Sequence, residues 1–79
     1  MSTIPAHTNP KQRELNQEEV LRFVKSYYFS TDRYPTQKMV SRYTTLDYEK
    51  IVTEAVVGLE KKKKLIVDRT HKEAILILP

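Results

Sequence analysis

The chain has no cysteine, no tryptophan and a single glycine among its 79 residues. Without cysteine there is no disulfide framework, no thiolate metal site and no cysteine nucleophile, so the fold rests on apolar packing alone. With Gly58 as the only glycine, no glycine-rich loop is available to cradle phosphates. The two histidines, His7 and His71, supply neither a pair at metal-ligand spacing nor a convincing Ser-His-Asp set. No enzymatic activity, cofactor or metal is therefore expected. Apolar runs are short: Ala74–Leu78 falls far below the ~20 residues that span a bilayer. The opening Met1-Ser2-Thr3-Ile4-Pro5 lacks a basic flank followed by an apolar stretch. Neither a signal peptide nor a membrane span is expected, and a reducing cytoplasm is the expected compartment, on the nucleoid in a prokaryote. A chain this short buries only about 60% of the surface it exposes unfolded, which limits it to one small domain and excludes a cleft between two.

What the chain does have is localised positive charge. Of its 14 bases and 10 acids, residues 61–79 hold six bases and two acids, so the whole net charge of +4 belongs to the C-terminal quarter, led by Lys61-Lys62-Lys63-Lys64. Concentrated positive charge attracts polyanions, nucleic acid first and an anionic membrane surface second. At a helix C-terminus the same lysines also complement the dipole.

Residues 1–14 hold Pro5 and Pro10, small polar residues and Ile4 as the one sizeable aliphatic, and read as a flexible tail. The domain is expected over 15–79. Asn16 with Glu19 forms a capping-box pattern, and Leu15 and Val20 fall at the staple positions, so a first helix is expected from Gln17 to Phe29. Val20, Leu21, Phe23, Val24, Tyr27 and Tyr28 give it an apolar stripe. Pro35 disfavours a helical Tyr34, and Thr36 then caps a short helix from Gln37 to Tyr43, with Met39, Val40 and Tyr43 as its buried edge. Thr45 offers a third cap for a helix from Leu46 to Lys62, with Tyr48, Val52, Ala55, Val56 and Leu59 in one sector. Gly58 lies inside this helix, where it costs roughly 1 kcal/mol against alanine and favours close packing. Leu65-Ile66-Val67 and Ala74–Leu78 read as strands around the polar loop Asp68–Glu73.

Three helices followed by a two-stranded hairpin make an α+β fold in the order of a winged helix-turn-helix domain. The segment Tyr34-Pro35-Thr36-Gln37-Lys38-Met39-Val40-Ser41-Arg42-Tyr43 resembles the Pro-Thr-capped second helix of LexA-type repressor DNA-binding domains and related winged-helix regulators. Leu59–Val67 is similar to their passage from recognition helix to first wing strand. The likeness covers residues 15–78 and departs from the pattern at Lys63-Lys64 and Thr70-His71, where many such domains carry glycine.

This resemblance implies a small transcriptional regulator, a repressor by expectation, that binds double-stranded DNA with its third helix in the major groove and its wing on the backbone or minor groove. The residues it points to are Thr36, Lys38 and Arg42 around helix two, Thr45, Tyr48, Lys50 and Thr53 on helix three, and Arg69, His71 and Lys72 in the wing. Thr36 and Thr45 double as helix caps, and Tyr48 lies near the core sector. Asp47, Glu49 and Glu54 on helix three oppose this reading, since carboxylates near phosphates weaken binding. With the exposed Val57 they support the alternative, a winged-helix protein-interaction module that acts as adaptor or inhibitor of a transcription or replication protein. A homodimer is expected, through the uniformly apolar Ala74–Leu78 or the aromatic face of helix one.

Overall fold

The computed structural model describes residues 10–44 and 48–79, with side chains from Lys50 onward in the second stretch. The elements in chain order are α1 (Pro10–Thr31), α2 (Gln37–Tyr43), a π-helical turn (Tyr48–Val52) that runs into α3 (Thr53–Lys61), β1 (Ile66–Asp68) and β2 (Ile75–Ile77). The fold is α+β, three helices followed by an antiparallel hairpin, and has the topology of a winged helix.

Helix α1 starts at Pro10, seven residues before the expected Gln17, so residues 10–14 are helix and not tail. Proline is compatible with the first helical position because its fixed φ suits the helix and its missing N–H would be unpaired there anyway. Asn16, expected as a cap, lies inside the helix, where it is buried and accepts a hydrogen bond from Gln12 Nε2 at 3.0 Å. Asn16, Val20 and Val24 form its one fully buried line, at the i, i+4, i+8 spacing that keeps side chains on one face. Leu15, expected as a staple, is 49% exposed. Residues 1–9 of the expected tail lie outside the described residues.

At the end of α1 the chain turns through Asp32 at φ 60°, a left-handed conformation that Asp tolerates better than most residues. The Asp32 N–H donates to the Tyr28 carbonyl at 2.8 Å, and the Tyr34 ring stacks on Tyr28 with centroids 4.4 Å apart. Thr36 caps α2 as expected: its Oγ1 accepts from the Met39 N–H at 3.2 Å. In α2 only Val40 is fully buried; Tyr43, expected on the buried edge, is 64% exposed and stacks on Phe23 of α1 at 6.3 Å. A seven-residue helix has room for one inward row, and Val40 occupies it.

The core is Val20, Val24, Val40, Val52, Ala55, Val56, Leu59, Leu65 and Leu76, with Leu21, Phe23, Tyr34, Val67 and Leu78 packed against it. Gly58 lets α3 approach α1 closely, since a Cβ there would run into the Gln17 side-chain amide. That amide is held in place by Lys62, whose Nζ donates to Gln17 Oε1 at 2.7 Å.

In the hairpin, Ile66 pairs with Ile77, Val67 with Leu76 and Asp68 with Ile75. The connector before α2 pairs with the free edge of β2 through an isolated β-bridge: Thr36 bridges Ile75, the Gln37 N–H donates to the Ala74 carbonyl at 2.8 Å, and the Leu76 N–H donates to the Pro35 carbonyl at 2.9 Å. β2 is thus paired on both edges, which fits its unbroken apolar sequence: Leu76 is fully buried and Ile75 and Ile77 are half-buried. The hairpin loop turns without glycine because the Asp68 carboxylate accepts from both the Thr70 N–H at 2.9 Å and the Thr70 hydroxyl at 2.6 Å.

Candidate nucleic-acid interface

The Thr36–Ile75 bridge seats the start of α2 beside the hairpin, and the packing of Val40 and Val52 in one core brings the start of α3 to the same side. The consequence is a hydrogen bond between helices: Gln37 Nε2, from the first residue of α2, donates to Thr53 Oγ1, from the first residue of α3, at 3.0 Å. Thr53 is exposed, and so is Lys50 on the π-helical turn one helical step before it. Thr36, Lys38, Met39 and Arg42 line a shallow cleft that Glu73 of the hairpin loop closes. Lys38 Nζ lies 3.9 Å from Glu73 Oε1, and Arg42 is exposed.

Of the residues singled out in the sequence, Thr36, Lys38 and Arg42 are therefore brought together, and Thr53 is joined to their helix through Gln37. Thr45 and the Tyr48 side chain lie outside the described residues, as do Asp47 and the side chain of Glu49. The wing residues divide. Arg69 grips Glu60 of α3 through both terminal guanidinium nitrogens, at 2.8 and 2.9 Å. His71 Nε2 lies 3.6 Å from Asp68 Oδ2, and Lys72 is exposed in the loop.

These pairings shift the carboxyl groups. The Arg69 hydrogen bond holds Glu60 below the ordinary glutamate range against a smaller opposing effect of desolvation. Asp68 is held low first by the Thr70 hydroxyl and then by the Thr70 N–H. Glu54, whose charge on α3 counted against DNA binding, is tied back to α1 by Arg13 Nε at 3.0 Å. Both described carboxylates of α3 thus face a cation of the same chain.

Gln37, Glu60 and Glu73 escaped the sequence reading. Gln37 carried a usable signal, being the polar residue directly after a cap and ahead of two basic positions; Glu60 and Glu73 acquire their roles only from the hairpin's placement. Among the described residues no group of three His, Asp or Glu could hold a metal, and no helix is long and apolar enough to cross a membrane.

No protein-family model matches the chain, and no curated protein or solved structure matches it significantly.

Proposed function

We propose that the chain is a sequence-specific double-stranded DNA-binding protein, a small transcriptional regulator that represses by occupying its site. The observation that carries this reading is the Gln37–Thr53 hydrogen bond, which joins the starts of α2 and α3 into one exposed polar face flanked by Lys38, Arg42 and Lys50. The charge pattern supports it, since Glu54 and Glu60 are neutralised by Arg13 and Arg69 and do not stand as free carboxylates on α3. On this reading α3 enters the major groove, where Lys50 and Thr53 meet base edges, while Lys38 and Arg42 take phosphates on the flank. Lys72 in the wing tracks the backbone, and Arg69 positions the wing. As a single module it gains affinity by pairing on two half-sites.

Selection of random duplex DNA against the purified protein, followed by gel shift of the winner at two salt concentrations, tests the reading. Recovery of a palindrome with a steep salt dependence supports it, and failure to enrich any sequence overturns it. Val57, 36% exposed on the outer side of α3, favours the second reading, a protein-interaction module. Replacing Lys50, Arg69 and Lys72 by glutamate separates the two: DNA retention is lost under the first reading, and partner capture survives under the second.

A further inference from the structure

Several cations, Arg22, Arg42 and Lys72 among them, meet no carboxylate among the described residues, and three more share a single groove. Arg13, Lys38 and Arg69 each meet a carboxylate, at 3.0, 3.9 and 2.8 Å. Lys25, Lys63 and Lys64 meet none among the described residues, and all three stand around a single groove of about 530 Å³. Its lining is mostly apolar, with Leu21 of α1 and Leu78 and Pro79 after β2 beside Lys25 of α1 and Lys63 and Lys64 of the turn after α3.

The turn that carries two of these lysines is built to hold them there. Lys63 sits at φ 60°, a conformation glycine adopts without steric cost, and its N–H donates to the Glu60 carbonyl at 3.0 Å while the Lys64 N–H donates to the Leu59 carbonyl at 2.9 Å. This closes α3 and sets consecutive ammonium groups beside the groove. The groove lies at the C-terminal end of α3, whereas Thr53 opens the helix; eight residues at ~1.5 Å each place Lys61, the last of the helix, roughly 12 Å from Thr53. It is a surface distinct from the proposed DNA face.

We propose that this groove docks an acidic peptide segment of another protein, with an aliphatic or aromatic side chain on Leu21, Leu78 and Pro79 and carboxylates on Lys25, Lys63 and Lys64. Charge complementarity selects an acidic partner. The apolar lining selects a peptide over a phosphate backbone, which has nothing to bury there, and the concave shape selects it over a planar lipid surface. The inference goes beyond the DNA-binding reading and does not depend on it.

The test is fluorescence anisotropy of the full chain with a fluorescein-labelled peptide, Glu-Asp-Leu-Phe-Glu-Asp. The expected result is saturable binding that weakens about tenfold when Leu-Phe is replaced by Ser-Ser, and about tenfold again in the K25E/K64E variant. Lys63→Gly, which relaxes the turn while removing one charge, is expected to weaken binding with no loss of fold by circular dichroism. Lys50→Glu, on the DNA face, is expected to leave peptide binding unchanged. Absence of binding to the wild-type chain, equal binding of the serine peptide, or an unchanged K25E/K64E variant each overturns the proposal. So does displacement of the peptide by a short DNA duplex or by phosphatidylserine vesicles through these same lysines, which would assign the groove to a polyanion or a membrane. Gel shift with the selected duplex reads the DNA face separately, so the failure of either assignment leaves the other standing.

Discussion

Arg69, the residue after β1, and Glu60, in the last turn of α3, form a two-pronged ion pair with N···O distances of 2.8 and 2.9 Å. The planar guanidinium matches the carboxylate, so the pair fixes direction as well as distance, and it holds the base of the hairpin against the helix. Both side chains remain well exposed, at 54% and 37%, so global stability owes little to the pair. Glu60→Ala is expected to leave the unfolding midpoint nearly unchanged while amide hydrogen exchange across residues 69–73 accelerates. Arg69→Lys is expected to behave like Glu60→Ala, because an ammonium group cannot make both bonds; unchanged exchange in either variant would show the hairpin to be held by β pairing alone.

A modest acid sensitivity follows from the carboxyl group of Asp68, held low by its Thr70 hydrogen bonds; Glu60, held low by its Arg69 hydrogen bond, is too exposed to add much. A group whose folded pKa lies below its unfolded value stabilises the fold fully above the unfolded value and loses that contribution as the pH falls through the folded one. Stability by urea denaturation is therefore expected to hold from neutral pH to about pH 5 and then decline as the ordinary carboxylate range is crossed. The E60Q/D68N variant should show a shallower decline. An equally steep one would place the acid-sensitive groups elsewhere.

How legible these features were depends on the distance over which each is determined. Cap chemistry is local, and Thr36 caps α2 where the sequence placed it. The buried sector of Val52, Ala55, Val56 and Leu59 follows from helical periodicity alone. The start of α1 misleads because Asn16 and Glu19 carry a capping-box pattern inside a longer helix: burial and the Gln12 amide satisfy Asn16, so its side chain is not needed as a terminus. Tyr43 repeats at helical spacing yet stays outside, since a two-turn helix needs only Val40 inward. The Thr36–Ile75 bridge, the Glu60–Arg69 pair and the Gln37–Thr53 bond have no local signature, for each joins segments whose proximity exists only after the hairpin folds back on α2 and α3.

Gly58 sits between two opposing effects. Alanine in a helix interior gains about 1 kcal/mol over glycine, but the added methyl meets the Gln17 amide. That amide is the far end of a flexible side chain, and its displacement forfeits the exposed bond from Lys62. Gly58→Ala is therefore expected to stabilise by less than about 0.5 kcal/mol in the wild-type background and by about 1 kcal/mol in a Gln17→Ala background. Chemical denaturation of the four species in this double-mutant cycle measures the difference, and strict additivity would show that Gln17 does not constrain the site.

Phe29, 94% exposed near the end of α1, contributes almost nothing to the core. Phe29→Ser is expected to alter stability by no more than about 0.5 kcal/mol. With β2 paired on both edges, the aromatic end of α1 is the other of the two surfaces expected for the proposed homodimer. Light scattering should then give a mass of two chains for the wild type and one for the variant, and equal masses would move the dimer interface elsewhere.

The Gln37–Thr53 bond distinguishes a structural role for this face from a recognition role. Both residues lie outside the core, so Gln37→Ala and Thr53→Ala should each change stability by less than about 0.5 kcal/mol. If Thr53 is aimed at a base edge by Gln37, either substitution should weaken binding to the selected duplex by about 1–3 kcal/mol and relax its preference at a single base pair. The double variant should lose little more than either single one, because the second change removes an interaction already broken. Arg42→Ala offers the contrast: removing a guanidinium that pairs with a phosphate should weaken binding to selected and scrambled duplexes alike and lower the salt slope by about 1. Equal losses on both duplexes for Thr53→Ala as well would make this face a backbone clamp and shift sequence reading to other residues of α3.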